Sequence, residues 1–271
     1  MTAPGPDGGL IAAFLLDGDG GGQPVGWDAV RDPAQGPLWV HLDYGSSLAR
    51  DFIETDQRIP DALHEALLDS NPRPRSALFG DGLLVVLRSV NGNAEAEPED
   101  MVALRMFVTE RFVVTMRRRR LLAVQEIVDA VGRGEGPRSP AELPWWIIDN
   151  VNDRLRVVVE AIDEEADELE ETLIAEARVE LRGRIASLRR RAIALRRYLV
   201  PQKEALSRLA ADKVSWLDEE ARAGLREQAE RLTRLLEDLD SARERAAVTQ
   251  EELSHRQAER TGRTMYLLSI L

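Results

Sequence analysis

The chain of 271 residues contains no cysteine, and histidine occurs only three times. Without thiols, the protein can form neither a disulfide nor a thiolate zinc site. Histidine, whose imidazole is the other ligand that zinc favours, is also rare. The usual zinc ligands are therefore scarce in this sequence.

Long apolar runs are also missing. No stretch reaches the roughly eighteen apolar residues that a membrane-spanning helix needs. Residues 1–9 lack the basic start and apolar stretch of a signal peptide, so we expect the chain to start in the cytoplasm. The final segment, Met265–Leu271, is abruptly apolar. Such an end is typical of a chain cut where a membrane helix begins.

Positive charge is in deficit, since the formal net charge is -12 and the pI is near 4.9. A protein this acidic is a poor candidate for binding nucleic acid, because such binding depends on contacts to phosphate. It is compatible with a partner that is a cation. No P-loop, His-Glu-x-x-His or Gly-x-Ser-x-Gly motif occurs, so no enzyme activity is predicted.

The sequence changes character near residue 144. Before it, short apolar runs alternate with turn signals and amphipathic segments. The predicted strands are Leu10–Leu16, Leu38–Leu42, Leu83–Val90, Val102–Thr109 and Arg111–Met116. The predicted helices are Ser46–Glu54, Pro60–Asp69 and Arg118–Val131. This mixture predicts an α+β fold, in which residues 1–144 form an α/β/α layered domain with a mixed sheet.

Residues 145–271 have no strand pattern and are predicted to form three long, coiled-coil-like helices, a stalk region that follows a Gly- and Pro-rich linker. Pro201 is expected to interrupt and kink the second helix, and Asp218 to cap the start of the third. The third helix has apolar residues seven apart, the pattern of a coiled-coil seam. These residues are Leu225, Leu232, Leu239, Ala246 and Leu253.

Charge is divided between the first two long helices. Residues 145–180 contain twelve acidic and three basic residues, whereas residues 181–213 contain two acidic and ten basic ones. As antiparallel neighbours these helices would attract each other, although each exposed ion pair contributes only about 0.2–1 kcal/mol. Within 163–171, seven of nine residues are acidic, which indicates either diffuse attraction of cations or a solvated face opposite the basic helix. They are Asp163, Glu164, Glu165, Asp167, Glu168, Glu170 and Glu171.

The three histidines are candidate metal ligands. His41 and Asp43 are two positions apart on a predicted strand, so they share a face, and both side-chain types suit zinc. Two ligands do not make a site, and the alternative is a strand histidine with a local hydrogen bond. His64 beside Glu65 is open to the same two interpretations. His255 lies on the third long helix, where the alternative to metal binding is a solvated helix face.

Two further clusters have both a functional and a structural interpretation. Asp17-Gly-Asp-Gly20 begins like a calcium-binding loop, but an EF-hand needs Glu at the twelfth position, where this chain has Asp28. A glycine turn between strands is the better interpretation. The second cluster, Arg117–Arg120, lies where a predicted strand passes into a helix. It is either a contact for phosphate or anionic lipid, or a salt-bridged surface.

A resemblance to a known family depends on four stretches that occur in the same order along most of the chain. They are Pro37–Asp43; Arg73–Arg75 with Gly82–Asn91 and Glu97–Arg105; Leu195–Gln202; and Arg263–Leu271. Together they resemble the CorA superfamily of metal-ion transporters and, within it, the ZntB zinc-transporter branch. The last stretch resembles the start of the family's pore helix.

The resemblance implies that the chain is the cytoplasmic part of a divalent metal-ion transporter. The family is a funnel-shaped homopentamer in the bacterial inner membrane, with this segment on the cytoplasmic side and membrane helices following it. Zn²⁺ is the implied ion, with coupling to protons, and Mg²⁺ or Co²⁺ is the alternative. No cofactor is expected.

By position, the resemblance places Met265 and Leu268 in the apolar ring that gates the cytoplasmic mouth of the pore. The alternative is that they are the first lipid-facing or helix-packing residues. A different class of function also stays open. A soluble coiled-coil scaffold that binds protein partners would share the heptads and the charge pattern, but it does not explain the apolar end.

Overall fold

The computed structural model describes residues 7–94, 96–97, 99–175 and 180–270. The amino-terminal part of the chain forms a seven-stranded sheet. The strands are β1 (Leu10–Leu16), β2 (Gly22–Pro24), β3 (Leu38–Asp43), β4 (Arg75–Phe79), β5 (Gly82–Ser89), β6 (Val102–Val108) and β7 (Phe112–Arg117). Their order is β2-β1-β3-β7-β6-β5-β4. Strands β3 and β7 pair in parallel and the other neighbours pair antiparallel, so the predicted mixed sheet is confirmed.

The five predicted strands are those that form the interior of the sheet. Strands β5 and β6 are buried at every position, and strands buried on both faces have continuous apolar runs. The two strands absent from the prediction, β2 and β4, lie at the edges of the sheet. Edge strands are often short and polar, and three-residue β2 contains both Gly and Pro. Their sequences therefore lack the apolar run that identifies a strand.

Short helices accompany the sheet. They are the 3-10 helices Asp7–Gly9 and Asp61–Leu63 and the α-helices α1 (Trp27–Val30), α2 (Ser47–Thr55), α3 (His64–Leu68) and α4 (Leu122–Arg133). Phe52 and Ile53 of α2, together with Leu67 of α3, join Val40 and Leu42 of β3 in one buried cluster. Burial of these apolar side chains holds α2 and α3 on the sheet.

Three long helices complete the fold: α5 (Leu143–Ala175), α6 (Glu180–Ala211) and α7 (Glu219–Ile270). All five heptad residues predicted for the third helix are buried. Asp218 caps α7 as predicted, since its Oδ1 accepts a hydrogen bond from the backbone N–H of Ala221 at 2.8 Å. Helix α6 continues through Pro201, so the predicted interruption is wrong. The mixed-sheet domain followed by long helices is confirmed.

The described residues belong to two compact units, and each unit contains part of every long helix. The first unit comprises Met1–Leu155 and Tyr198–Leu232, and the second comprises Arg156–Arg197 and Thr233–Leu271. The division predicted at residue 144 follows the change from mixed elements to helices alone. This predicted boundary differs from the boundaries of the two compact units, and it stays a prediction.

Within the first unit, polar contacts attach the later part of α6 to the sheet. The backbone N–H of Arg88 on β5 donates to Oε1 of Gln202 at 2.7 Å, and Ser76 Oγ on β4 donates to the carbonyl of Ala205 at 2.8 Å. The guanidinium of Arg88 lies 4.7 Å from the ring centroid of Tyr198. Tyr198 and Gln202 belong to the stretch 195–202, so this part of the resemblance corresponds to a docking contact.

Candidate functional site

His41 lies on central strand β3 and is 2% exposed. Its Nδ1 is 2.9 Å from Thr115 Oγ1, which also accepts a hydrogen bond from Trp39 Nε1 at 2.9 Å. Burial, followed by the positive charge of Arg117, lowers the pKa of His41 to about 3, against a smaller opposing effect of the Thr115 hydrogen bond. The imidazole is therefore neutral and uses one nitrogen within the sheet, as the local-hydrogen-bond interpretation expects.

Asp43 ends the same strand and has different contacts. Its Oδ1 accepts the backbone N–H of Gly45 at 2.9 Å, and it pairs in register with Arg117 on β7. No group of three or more His, Cys, Asp or Glu side chains that could hold a metal occurs among the described residues. The predicted His41–Asp43 pair therefore has no third protein ligand beside it in that part of the chain.

The other two histidines lie far from β3 in sequence and in separate settings. His64 begins α3, where its Nε2 is 4.0 Å from a carboxylate oxygen of Asp61, beyond hydrogen-bonding distance. His255 is exposed on α7. Their roles as metal ligands stay predictions.

The acidic run on α5 is partly neutralised by arginines within the second unit. Asp163 and Asp167 both pair with Arg245 of α7. On α6, Arg191 pairs with Glu165, and Arg184 pairs with Glu168 at 3.2 Å. Attraction between α5 and α6 was predicted from the charge division, whereas the part played by α7 was not.

Three members of the run lie outside these ion pairs. Glu164, Glu170 and Glu171 are exposed, and they form no ion pair with any residue that the structure describes. Carboxylates on one solvent-facing region create a negative field, which raises the local concentration of cations without binding them at a fixed position. The paired members of the run thus match the face opposite basic residues, whereas diffuse attraction of cations by these three glutamates stays a prediction.

The two predicted gate residues lie near the end of α7. Met265 is 67% exposed, and its neighbour Tyr266 is 66% exposed. The side chain of Leu268 lies outside the described part of the chain. None of the described helices has a stretch that is both long and apolar enough to cross a membrane.

A buried polar network between α5 and α7 was missed by the sequence prediction. Asn152 Nδ2 donates to Gln228 Oε1 at 2.9 Å, and Gln228 Nε2 donates to Asp149 Oδ1 at 2.8 Å. Asn152 and Gln228 are 1% and 2% exposed. Arg231 also donates to Asp149, at 2.6 Å, and pairs with Asp153. The available signal was a polar residue at an otherwise apolar seam position, because buried polar groups need partners.

Comparison with known proteins gives a consistent result. Residues 34–271 match the family described as "CorA-like Mg2+ transporter protein". The chain is 34% identical to zinc transport protein ZntB of Pectobacterium carotovorum over 97% of this chain and 80% of that protein. It is 39% identical to divalent cation transporter CmaX of Pseudomonas aeruginosa over 98% of this chain and 82% of that protein.

A solved structure supports the fold. The crystal structure of the ZntB cytoplasmic domain from Vibrio parahaemolyticus superposes with a TM-score of 0.82, covering 93% of this chain and 99% of that one. Its sequence identity to this chain is 22%, so this likeness concerns the fold alone.

Proposed function

The chain belongs to the family of CorA-like Mg2+ transporter proteins, and from this premise we propose that it is part of a membrane transporter for divalent metal cations. Zn²⁺ is the ion we propose. The observation that carries this choice is the 34% identity to zinc transport protein ZntB, which extends over 97% of the chain. Coupling of zinc movement to protons is part of the same proposal.

Mg²⁺ or Co²⁺ is the competing choice of ion. The name of the CmaX relative, at 39% identity, specifies only divalent cations. The side chains favour no single metal, because cysteine is absent and His41 is buried with one nitrogen hydrogen-bonded to Thr115. We therefore propose that the ion passes this part of the protein partly hydrated, drawn by carboxylates such as Glu164, Glu170 and Glu171.

The assembly that we propose is a homopentamer built around α7. Support comes from the length of α7, which has 52 residues, and from the resemblance to the CorA superfamily, which implies a homopentamer. In this arrangement residues 1–144 form the α/β/α domain and residues 145–271 form the stalk region of a funnel. The segment lies on the cytoplasmic side of the bacterial inner membrane, and membrane helices continue from it.

Met265 and Leu268 form the cytoplasmic gate in this proposal. An apolar ring in a narrow pore blocks ions because water leaves it readily. A polar residue at position 265 should hold water in the ring and raise resting flux. Tyr266 provides a matched control, since it is equally exposed but lies about 100° around the helix from Met265.

The test is uptake of labelled zinc by liposomes that contain the full-length transporter, with and without a proton gradient. We expect zinc uptake that responds to the gradient, faster resting uptake in Met265→Ser, and unchanged uptake in Tyr266→Ser. Magnesium uptake with little zinc would assign the transporter to the Mg²⁺ and Co²⁺ alternative. No uptake of any of these ions would favour the coiled-coil scaffold instead. Equal effects of the two serine variants would remove Met265 from the gate.

A further inference from the structure

Four consecutive arginines lie together in the first unit. Arg117 ends β7, and Arg118, Arg119 and Arg120 are exposed immediately before α4. Within the described part of the chain, none of the four forms an ion pair within 4.0 Å with a carboxylate. The salt-bridged surface that was one interpretation of this cluster is therefore not formed there, although the protein has a net charge of -12.

The guanidinium groups of this cluster also influence one another. Burial lowers the pKa of Arg117, the charge of Asp43 raises it, and the charge of Arg120 lowers it again. Arg117 and Arg120 are therefore close enough to repel. An anion beside them would relieve this repulsion.

The cluster leads directly into a helix N-terminus that has no cap. Helix α4 has 12 residues, its N-cap residue is Leu121, and no acidic residue lies in its first turn. The first backbone N–H bonded within the helix is that of Gln125, which donates to the carbonyl of Leu121 at 3.1 Å. The preceding N–H groups, aligned with the positive end of the helix dipole, are suited to an anion.

A buried amide donor beside this helix start is an independent indication of a ligand. The loop 91–93 lies against the start of α4: Asn93 Nδ2 donates to the carbonyl of Arg120 at 3.1 Å, and a Cβ on Gly92 would be 2.6 Å from Leu122 Cδ1. The preceding residue, Asn91, is 4% exposed, and its Nδ2 has no hydrogen-bond partner among the described residues.

The orientation of the Asn91 amide is fixed by its neighbour. Asn91 Oδ1 accepts the backbone N–H of Asn93 at 3.2 Å and its Nδ2 at 2.6 Å. Because the backbone N–H of Asn93 can only donate, Oδ1 of Asn91 must face it. The NH₂ group of Asn91 is therefore the part of the amide without a partner among the described residues. The missing partner is thus an acceptor, as the oxygen of an anion would be.

We propose that Arg118–Arg120, the N-terminus of α4 and Asn91 form a binding site for a phosphate group. Phosphate supplies several acceptor oxygens and a charge that complements guanidinium groups and backbone N–H groups. The same chemistry is offered by a free phosphate compound and by the headgroup of an anionic lipid. The site is independent of the transported ion, so its failure leaves the transport proposal intact.

The first arm of the test is calorimetric titration of inorganic phosphate into the full chain. We expect binding that weakens roughly tenfold or more in Arg119→Gln/Arg120→Gln. The matched control is Arg182→Gln/Arg190→Gln, which removes two exposed α6 arginines outside every described ion pair and should bind as the unchanged protein does. Asn91→Asp keeps both acceptor bonds to Asn93, replaces the donor by a carboxylate oxygen, and should also weaken binding.

The second arm identifies the source of the phosphate group, using vesicles of phosphatidylglycerol with phosphatidylcholine vesicles as the neutral reference. If the protein sediments with the anionic vesicles, if phosphate competes with this binding, and if Arg119→Gln/Arg120→Gln abolishes it, the site binds a lipid headgroup. Phosphate binding without vesicle binding assigns it to a soluble phosphate compound. The proposal is overturned if phosphate does not bind, or if the α6 control variant loses as much phosphate binding as the Arg119→Gln/Arg120→Gln variant. The arginine variants change exposed residues and should remain folded even if Asn91→Asp does not.

Discussion

Acid should destabilise the sheet through one residue, His41. The pKa of this histidine falls from 6.5 to about 3 on folding, so between these values the unfolded chain binds a proton that the folded chain does not. The stabilising effect of the neutral imidazole is therefore complete above pH 6.5 and is lost as the pH falls toward 3. Integrated from neutral pH to about pH 5, this difference amounts to about 2 kcal/mol of unfolding free energy.

The assay is urea unfolding at both pH values for the unchanged chain and for His41→Gln. Glutamine cannot titrate but keeps a polar group near Thr115. On acidification the free energy of unfolding of the variant should therefore fall by about 2 kcal/mol less than that of the parent. His255→Gln is the control, because His255 is exposed, and it should keep the parent's pH dependence. An identical acid loss in His41→Gln and in the parent would show that His41 does not remain neutral in the sheet.

Two further predictions concern the contacts between long helices. Gln228→Leu should lower the free energy of unfolding by about 1 kcal/mol, because it removes one hydrogen-bond acceptor and one donor from the buried network. Adding Asn152→Leu should recover part of this loss, which a double-mutant cycle measured by urea unfolding would show. Strictly additive losses would contradict the coupling. Arg245→Gln removes the pairs with Asp163 and Asp167. Because these pairs are partly exposed to water, which weakens and screens them, the loss of unfolding free energy should be less than about 1 kcal/mol and smaller still at high salt. A larger, salt-independent loss would contradict that account.

The predictability of the fold follows from where its apolar residues lie. Strand β1 was predicted with its observed bounds, and β5 to within one residue at each end. The seam of α7 was predicted because a seven-residue repeat persists through Leu225, Leu239 and Leu253, all of which are buried. Edge strand β4 was missed because only part of it is covered, so its sequence has no continuous apolar run.

Pro201 shows why a local rule can fail. A proline removes one helical hydrogen bond and strains the preceding turn, and this predicts an interruption. In the structure α6 continues through it, and the next residue, Gln202, bonds to the backbone of Arg88. Such tertiary contacts stabilise a helix that its own sequence disfavours, and they cannot be read from the sequence of the helix alone.

The candidate site was predictable only in part, for a similar reason. The sequence identified the charges of the acidic run, but not that Arg245, far along the chain, neutralises two of them. It placed His41 and Asp43 on one strand, but not the hydroxyl of Thr115, which belongs to another strand and holds the imidazole. Partners brought together by strand pairing or helix packing depend on topology, which spacing along one segment does not contain.

The proposal that this chain is part of a zinc transporter can be tested by competition between ions. Labelled zinc uptake into liposomes containing the full-length transporter would be measured with a large excess of unlabelled magnesium, and then with unlabelled zinc. We expect unlabelled zinc to suppress the uptake of labelled zinc and magnesium to leave most of that uptake intact. Suppression by magnesium as strong as that by zinc, or uptake no faster than in protein-free liposomes, would overturn the zinc proposal.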